Sequence, residues 1–292
     1  MLTRLFLGVL WLLHWLPLSV LAALGRVLGR VLLVAAGSRR RIAQRNLALC
    51  FPQWSETRRS EVLHAHFQWL GRSFLERGLL FYASADRLRR LIHVEGDVKL
   101  AEGSARPVMW LVPHFMGLDV AGVATLLFQG NPGCSIYQAQ SNPVMDAAIR
   151  RGRLRFNAQT QIFPRSDRAL PLVRAIRRGM AFFNLPDMDF GERDAAFVPF
   201  FGVPAATLLA PSRMARALDM VVQPVVAEML PGGQGWRVRF LPPWGDFPTD
   251  DALADTAALN RWIEAEIERN PAQYLWVHKR FKTRPPGEPA IY

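Results

Sequence analysis

The chain has 292 residues, half of them hydrophobic, and carries 36 Lys and Arg against 24 Asp and Glu, a formal net charge of +12. That is ample for one large domain with a real core, and length alone would also permit two. Cys50 and Cys134 are too few for a disulfide scaffold or a metal cluster, and they fit a reducing, cytoplasm-facing location.

Only Lys99, Lys279 and Lys282 are lysines, so almost all the positive charge is guanidinium, which suits bidentate contacts to phosphate and carboxylate. A basic balance this large points to a polyanionic partner: nucleic acid, an anionic membrane, or a phosphorylated or acidic substrate. Nucleic acid is the weaker choice. No zinc pattern, helix-turn-helix or aromatic-rich single-strand motif stands out, and the apolar N-terminus argues for lipid.

In chain order, Leu5 to Leu24 is almost wholly apolar, about the length needed to cross a bilayer as a helix, roughly 20 residues. His14 and Pro17 interrupt it, which leaves a kinked or interfacial helix open. A second apolar stretch, punctuated by Arg26 and Arg30, runs to Ala36. Residues 1–36 therefore read as a membrane anchor, spanning or interfacial, and residues 37–292 as the remaining domain. Arg39, Arg40, Arg41 and Arg45 follow the anchor while only Arg4 precedes it. The positive-inside rule then places the bulk of the chain on the cytoplasmic side, with these arginines against anionic headgroups.

Ser55 can cap a helix that runs to about Phe81. Asp86–Leu91 reads as a short helix and Leu91–Val98 as a strand. Val108–Val112 reads as a short buried strand, Val120–Phe128 as an apolar helix, and Ser135–Gln138 as another strand. Pro143–Arg155 is a helix loaded with Arg150, Arg151, Arg153 and Arg155. A strand over 161–164 is followed by Arg165, a helix over 169–178, and a strand over 180–185 that ends in the acidic turn Pro186-Asp187-Met188-Asp189-Phe190-Gly191. Leu208–Leu218 reads as a helix, Met220–Met229 and Trp236–Leu241 as a hairpin, and Asp251–Arg269 as an amphipathic helix. Strands alternating with helices argue for an α/β fold: a single layered domain with a mixed sheet flanked by helices, preceded by the apolar N-terminal helix.

The chemistry-bearing stretch is His114-Phe115-Met116-Gly117-Leu118-Asp119. Five residues on a helix turn through about 140°, from roughly 3.6 residues per turn, so the two side chains would point apart. They meet only if His114 lies in the turn after the strand and Asp119 in the first turn of the next helix. Asp119 would then fix the imidazole tautomer and leave the other nitrogen free to take a proton from a hydroxyl. On the pair alone, a satisfied histidine beside a helix-capping aspartate is the commoner explanation. Asp187 also follows a strand end, where the active residues of layered α/β domains gather, so one cleft could hold both.

Four stretches in this order give the chain a family resemblance. They are the His114–Asp119 box, Leu185-Pro186-Asp187-Met188-Asp189-Phe190-Gly191, Val198-Pro199-Phe200-Phe201-Gly202, and the long C-terminal box from Pro271 through Tyr274-Leu275-Trp276-Val277-His278-Lys279-Arg280-Phe281 to Pro285. With Arg45-Asn46-Leu47-Ala48-Leu49-Cys50-Phe51-Pro52, the chain resembles the bacterial lipid A biosynthesis lauroyl/myristoyl acyltransferases, a branch of the lysophospholipid acyltransferase superfamily, over essentially its whole length. The resemblance implies a membrane-anchored acyltransferase at the bacterial inner membrane, its catalytic domain facing the cytoplasm. It implies a donor thioester on an acyl carrier protein and a phosphorylated glycolipid acceptor, a lipid A precursor acylated on the hydroxyl of a bound acyl chain. No cofactor or metal is implied. It assigns His114 and Asp119 as the catalytic dyad, and Arg153 and Asp187 to substrate binding. Arg165 is a further candidate for the same anionic site, and His278 reads as structural or interfacial. This branch commonly carries Glu where Asp119 stands, which leaves open another position on lipid A or another acceptor such as an ornithine lipid or a lysophospholipid. A non-catalytic, membrane-bound basic module is the remaining alternative.

Overall fold

A computed structural model describes residues 1–292. The N-terminal third is helical: α1 (Leu2–Leu13), α2 (Leu18–Ala35), α3 (Gly37–Cys50), α4 (Glu56–Tyr82) and α5 (Ala85–Leu91). There follow β1 (Ile92–Gly96), α6 (Leu100–Gly103), β2 (Val108–Leu111), α7 (Leu118–Leu127), β3 (Gly133–Tyr137), α8 (Pro143–Leu154), β4 (Gln161–Pro164), α9 (Leu170–Arg177) and β5 (Ala181–Asn184). Then come β6 (Ala195–Phe200), β7 (Val203–Leu208), α10 (Ala210–Ala217), β8 (Val221–Met229), β9 (Trp236–Phe240) and α11 (Ala252–Arg269).

The main sheet has seven strands in the order β1-β9-β8-β2-β5-β3-β4, and all its pairings are parallel except the β8–β9 hairpin. The mixed α/β sheet flanked by helices is the architecture read from the sequence. Alternation along β2 shows why it is a central strand. Met109 and Leu111 enter the core on one face, against Leu172 and Ile176 of α9 and Ile263 of α11. Val108 and Trp110 enter the core on the other, against Val120 and Ala124 of α7 and Leu79 and Leu80 of α4.

Several helix starts follow their capping chemistry. The Ser55 side chain accepts from Arg58 N at the start of α4, Asn142 caps α8 ahead of Pro143, and the Asp251 carboxylate accepts from Leu253 N and Ala254 N at the start of α11.

Two elements differ from the sequence reading, and a third was given no assignment there. The apolar run 5–24 is not one helix: it breaks at His14–Pro17, because proline has no N–H to donate and α2 restarts with Pro17 as its cap. The basic run after residue 36 belongs to a helix, α3. Residues 195–208 form an antiparallel hairpin, β6–β7, so Leu208 ends a strand rather than starting a helix.

α2 alone is long and apolar enough to cross a membrane. One flank of it is packed on α4 at backbone distance. A Cβ at Gly29 would fall 2.2 Å from Phe67 O, and one at Gly71 would fall 2.2 Å from Gly25 O. The opposite flank, with Val20, Leu24, Val27, Val31 and Val34, is exposed, as are Leu2, Leu5, Leu12 and Trp15 in and beyond α1.

Candidate active site

β2 and β5 are neighbouring parallel strands, with Leu111 opposite Asn184. His114 lies three residues past Leu111 (114 − 111), and Asp187 three residues past Asn184 (187 − 184), so equal advance off the sheet brings the two together. His114 Nδ1 meets Asp187 Oδ1 at 2.7 Å, and His114 N donates to Asp187 Oδ2 at 2.9 Å. Asp187 is fully buried and His114 is 9% exposed. The carboxylate thus holds both the ring and the backbone of the histidine, which fixes the tautomer and leaves Nε2 for chemistry. Burial would raise the Asp187 carboxyl, but the His114 charge and its two hydrogen bonds outweigh it and hold the group below the usual carboxylate range.

Asp119 is not the partner of His114, contrary to the expectation from the H-x4-D spacing. It stands in the first turn of α7, as expected, but its carboxylate is taken by two arginines. Oδ2 accepts from Arg77 Nε at 3.0 Å and from a terminal Arg77 nitrogen at 2.5 Å, and Oδ1 accepts from Arg153 at 3.3 Å. The physical reason is competition: Asp187 already fills Nδ1 in strand register, while α4 and α8 bring guanidinium groups to the first turn of α7. Burial raises the Asp119 carboxyl, yet the Arg77 and Arg153 charges hold it far below the ordinary range. Asp187, expected at a substrate contact, has both carboxylate oxygens on His114.

Arg153 reaches Asp119 and lines one of the cavities described below. Arg165 lies apart from them. Its guanidinium stacks on Phe190 at 3.9 Å from the ring centre, and it lines neither cavity described below. Arg77 was missed, and its signal was a Glu-Arg pair inside the otherwise apolar stretch from Phe74 to Phe81.

The C-terminal box locks this arrangement. Leu275 N donates to His114 O at 2.9 Å and Met116 N to Gln273 O at 2.8 Å. The Tyr274 phenol is pushed well above its ordinary value by burial and by the Asp187 carboxylate facing it. The acidic turn is held in the same way: Asp189 accepts from Thr283 N at 2.6 Å and Thr283 Oγ1 at 2.7 Å, and its own N–H donates to His278 Nε2 at 3.2 Å. Asn46 on α3 donates to Trp276 O and His278 O, both at 2.7 Å. Phe200 packs against Tyr274 and Phe281, so the stretches that carried the resemblance join through the C-terminal box, which is bonded to His114.

Two cavities meet at Asp119. An apolar groove of about 1010 Å³, mouth included, is lined by His114, Asp119 and Arg77 together with Leu32, Phe67, Leu70 and Phe74 of α2 and α4. A slot of about 770 Å³, mouth included, runs over the sheet from Trp110 and Phe183 to Ile162, under α7 and beside Phe81 and Arg153. Leu118 and Asp119 line both. Gly117, at the start of α7, leaves no room for a side chain, since a Cβ there would fall 2.7 Å from Ala227 O of β8.

A family profile for bacterial lipid A biosynthesis acyltransferases matches residues 1–283. The lipid A biosynthesis lauroyltransferase of Escherichia coli (strain K12) is 34% identical over 100% of this chain and 94% of its own. The palmitoleoyltransferase of the same organism is 36% identical over 98% and 92%. Its myristoyltransferase is 29% identical over 92% and 82%. Among solved structures, the 1-acyl-sn-glycerophosphate acyltransferase of Thermotoga maritima aligns over 85% of this chain and 94% of that one at 13% identity and a TM-score of 0.37, too distant a likeness to carry an argument. With a match over nearly its whole length and the family's stretches gathered around one buried histidine, this chain belongs to the bacterial lipid A biosynthesis acyltransferase family.

Proposed function

We propose that the protein transfers a fatty acyl chain from an acyl carrier protein thioester to the hydroxyl of an acyl chain already on a lipid A precursor. The observation that carries this reading is the buried His114–Asp187 pair on the wall of an apolar groove, next to the Arg77–Asp119–Arg153 cluster.

In this mechanism His114 Nε2 takes the proton of the acceptor hydroxyl, and that oxygen attacks the thioester carbonyl carbon. Asp187 stabilises the imidazolium that forms. The tetrahedral oxyanion collapses, the C–S bond breaks, and the departing sulfur takes the proton back from His114 as the new ester forms. Asp119 holds two guanidiniums in fixed orientation and neutralises one charge, so the cluster keeps a net positive charge. Such a cluster suits the developing oxyanion or an acceptor phosphate. The slot receives the donor chain and the groove the acceptor's chains, with Asp119 at the junction.

The exposed faces of α1 and α2 lie in the cytoplasmic leaflet of the inner membrane. This is an interfacial anchor rather than a crossing, because the other flank of α2 is committed to α4. Arg39, on the wall of the groove, and the neighbouring arginines of α3 then meet the anionic headgroups.

The test offers purified enzyme an acyl carrier thioester with either a phosphorylated disaccharide lipid A precursor or a lysophospholipid. Preferential acylation of the precursor is expected. Preferential acylation of the lysophospholipid would leave an acyltransferase acting on another lipid.

A further inference from the structure

Gly122 is the glycine of the slot with the most open space where a side chain would be. It sits in the middle of α7, where glycine costs stability relative to alanine. The other glycines of the slot divide in two. At Gly152 a Cβ would fall 2.4 Å from the Phe81 ring, so close helix contact requires a glycine there. At Gly133 a Cβ would meet Leu126 Cδ2 at 3.5 Å, an ordinary contact. At Gly122 the nearest atom to an added Cβ is Phe183 Cζ at 4.0 Å, across the slot itself. What the missing side chain leaves there is the bore of the cavity.

The position along the slot is equally informative. Asp119, Gly122, Val123 and Leu126 share one face of α7 and all line the cavity. Asp119 and Arg153 form its charged end. Leu126, beside Gly133, lines its apolar part about 10 Å further along the helix at roughly 1.5 Å per residue. Gly122 lies about one turn inside the charged end, opposite Phe183.

We infer that Gly122 sets the length of acyl chain the enzyme accepts, by leaving open the passage between α7 and Phe183, with Leu126 limiting the far end. This rests on the reading above, in which the slot holds the donor chain. Each methylene that loses its place in an apolar pocket changes selectivity by roughly tenfold or more.

The experiment gives the full-length enzyme a competing series of acyl carrier thioesters of increasing chain length and measures product ratios by mass spectrometry. Gly122→Leu is expected to keep transfer of the shorter chains and lose the longer ones, a shift of at least about tenfold in the long-to-short ratio. Gly122→Ala should shift the ratio in the same direction by less, with thermal stability unchanged or raised. Leu126→Ala should shift it the opposite way. Should Gly122→Leu fail to fold, the Gly122→Ala and Leu126→Ala pair decides the matter. An unchanged chain profile in the folded variants overturns the inference, as does an equal loss at every length. Failure of the underlying reading looks different: the unmodified enzyme would then use none of the thioesters.

Discussion

His114 has its Nδ1 taken by a fully buried carboxylate and its ring on the wall of an apolar groove. Replacing it with alanine should lower acyl transfer by about 10²–10⁴-fold, the usual worth of a general base. Folding and membrane binding should persist, because the backbone bonds from Leu275 and to Asp187 do not need the ring, while the buried Asp187 carboxylate left without its partner lowers the melting temperature. Activity within a few-fold of the parent, measured on purified protein, would remove His114 from the chemistry. His66 supplies a second residue-scale prediction. It is fully buried on α4 with Nδ1 against Ala272 O at 3.2 Å, and burial lowers its pKa to about 4. The unfolded chain takes up this proton near pH 6.5, so stability is full above that value and is lost as pH falls towards 4. At about 1.4 kcal/mol per pH unit, His66 alone is worth up to about 3 kcal/mol. His278 acts in the same direction, with its pKa also lowered to about 4, by burial first and the His114 charge second. Thermal melts from pH 7 to 4 should show a steep fall that His66→Gln flattens.

At the scale of elements, capped and periodic helices and the short buried strands were legible, because capping and alternation are local. Ser55 caps as its sequence position suggests, and Asn142 and Asp251 cap α8 and α11 by the same local chemistry. What was not legible is long-range. The partner of His114 depends on which strands are neighbours, and H-x4-D spacing carries no information about Asp187, 73 residues away. The His14–Pro17 break was visible as a weakness in the apolar run, but the docking of α2 on α4 depends on Gly25, Gly29 and Gly71 meeting across the chain. That docking separates two kinds of substitution. Val27→Glu and Val31→Glu, on the exposed flank, should each weaken binding to anionic vesicles by roughly tenfold or more without lowering the melting temperature, since burying a valine is worth about 1.5–3 kcal/mol. Gly29→Val should instead destabilise the fold, because its Cβ has no room against Phe67 O. Vesicle flotation and thermal melts on the same samples check both. Unchanged flotation of the two glutamate variants would place the membrane contact elsewhere.

The whole molecule is a mostly parallel sheet whose β2 and β5 ends deliver a histidine and a carboxylate, with helices α4 and α8 bringing two arginines, to the junction of two apolar cavities. The topology makes Asp187 the partner of His114 and Asp119 the organiser of Arg77 and Arg153, and these roles differ in their kinetic signatures. An amide at 187 cannot stabilise an imidazolium and can stabilise the wrong tautomer, a change that costs about 10⁴-fold in the serine-protease triad. An amide at 119 leaves His114 and Asp187 intact and loosens two guanidiniums, which weakens substrate binding and charge stabilisation. The decisive measurement is therefore kcat and KM for the lipid acceptor across pH, on Asp187→Asn and Asp119→Asn side by side. The expected result is a loss of about 10²–10⁴-fold in kcat with little change in KM and an altered pH profile for Asp187→Asn, against a raised KM, a smaller loss in kcat and the parental pH profile for Asp119→Asn. Near-parental kcat in Asp187→Asn, with the large kcat loss and the altered pH profile appearing in Asp119→Asn, would contradict this arrangement of the site.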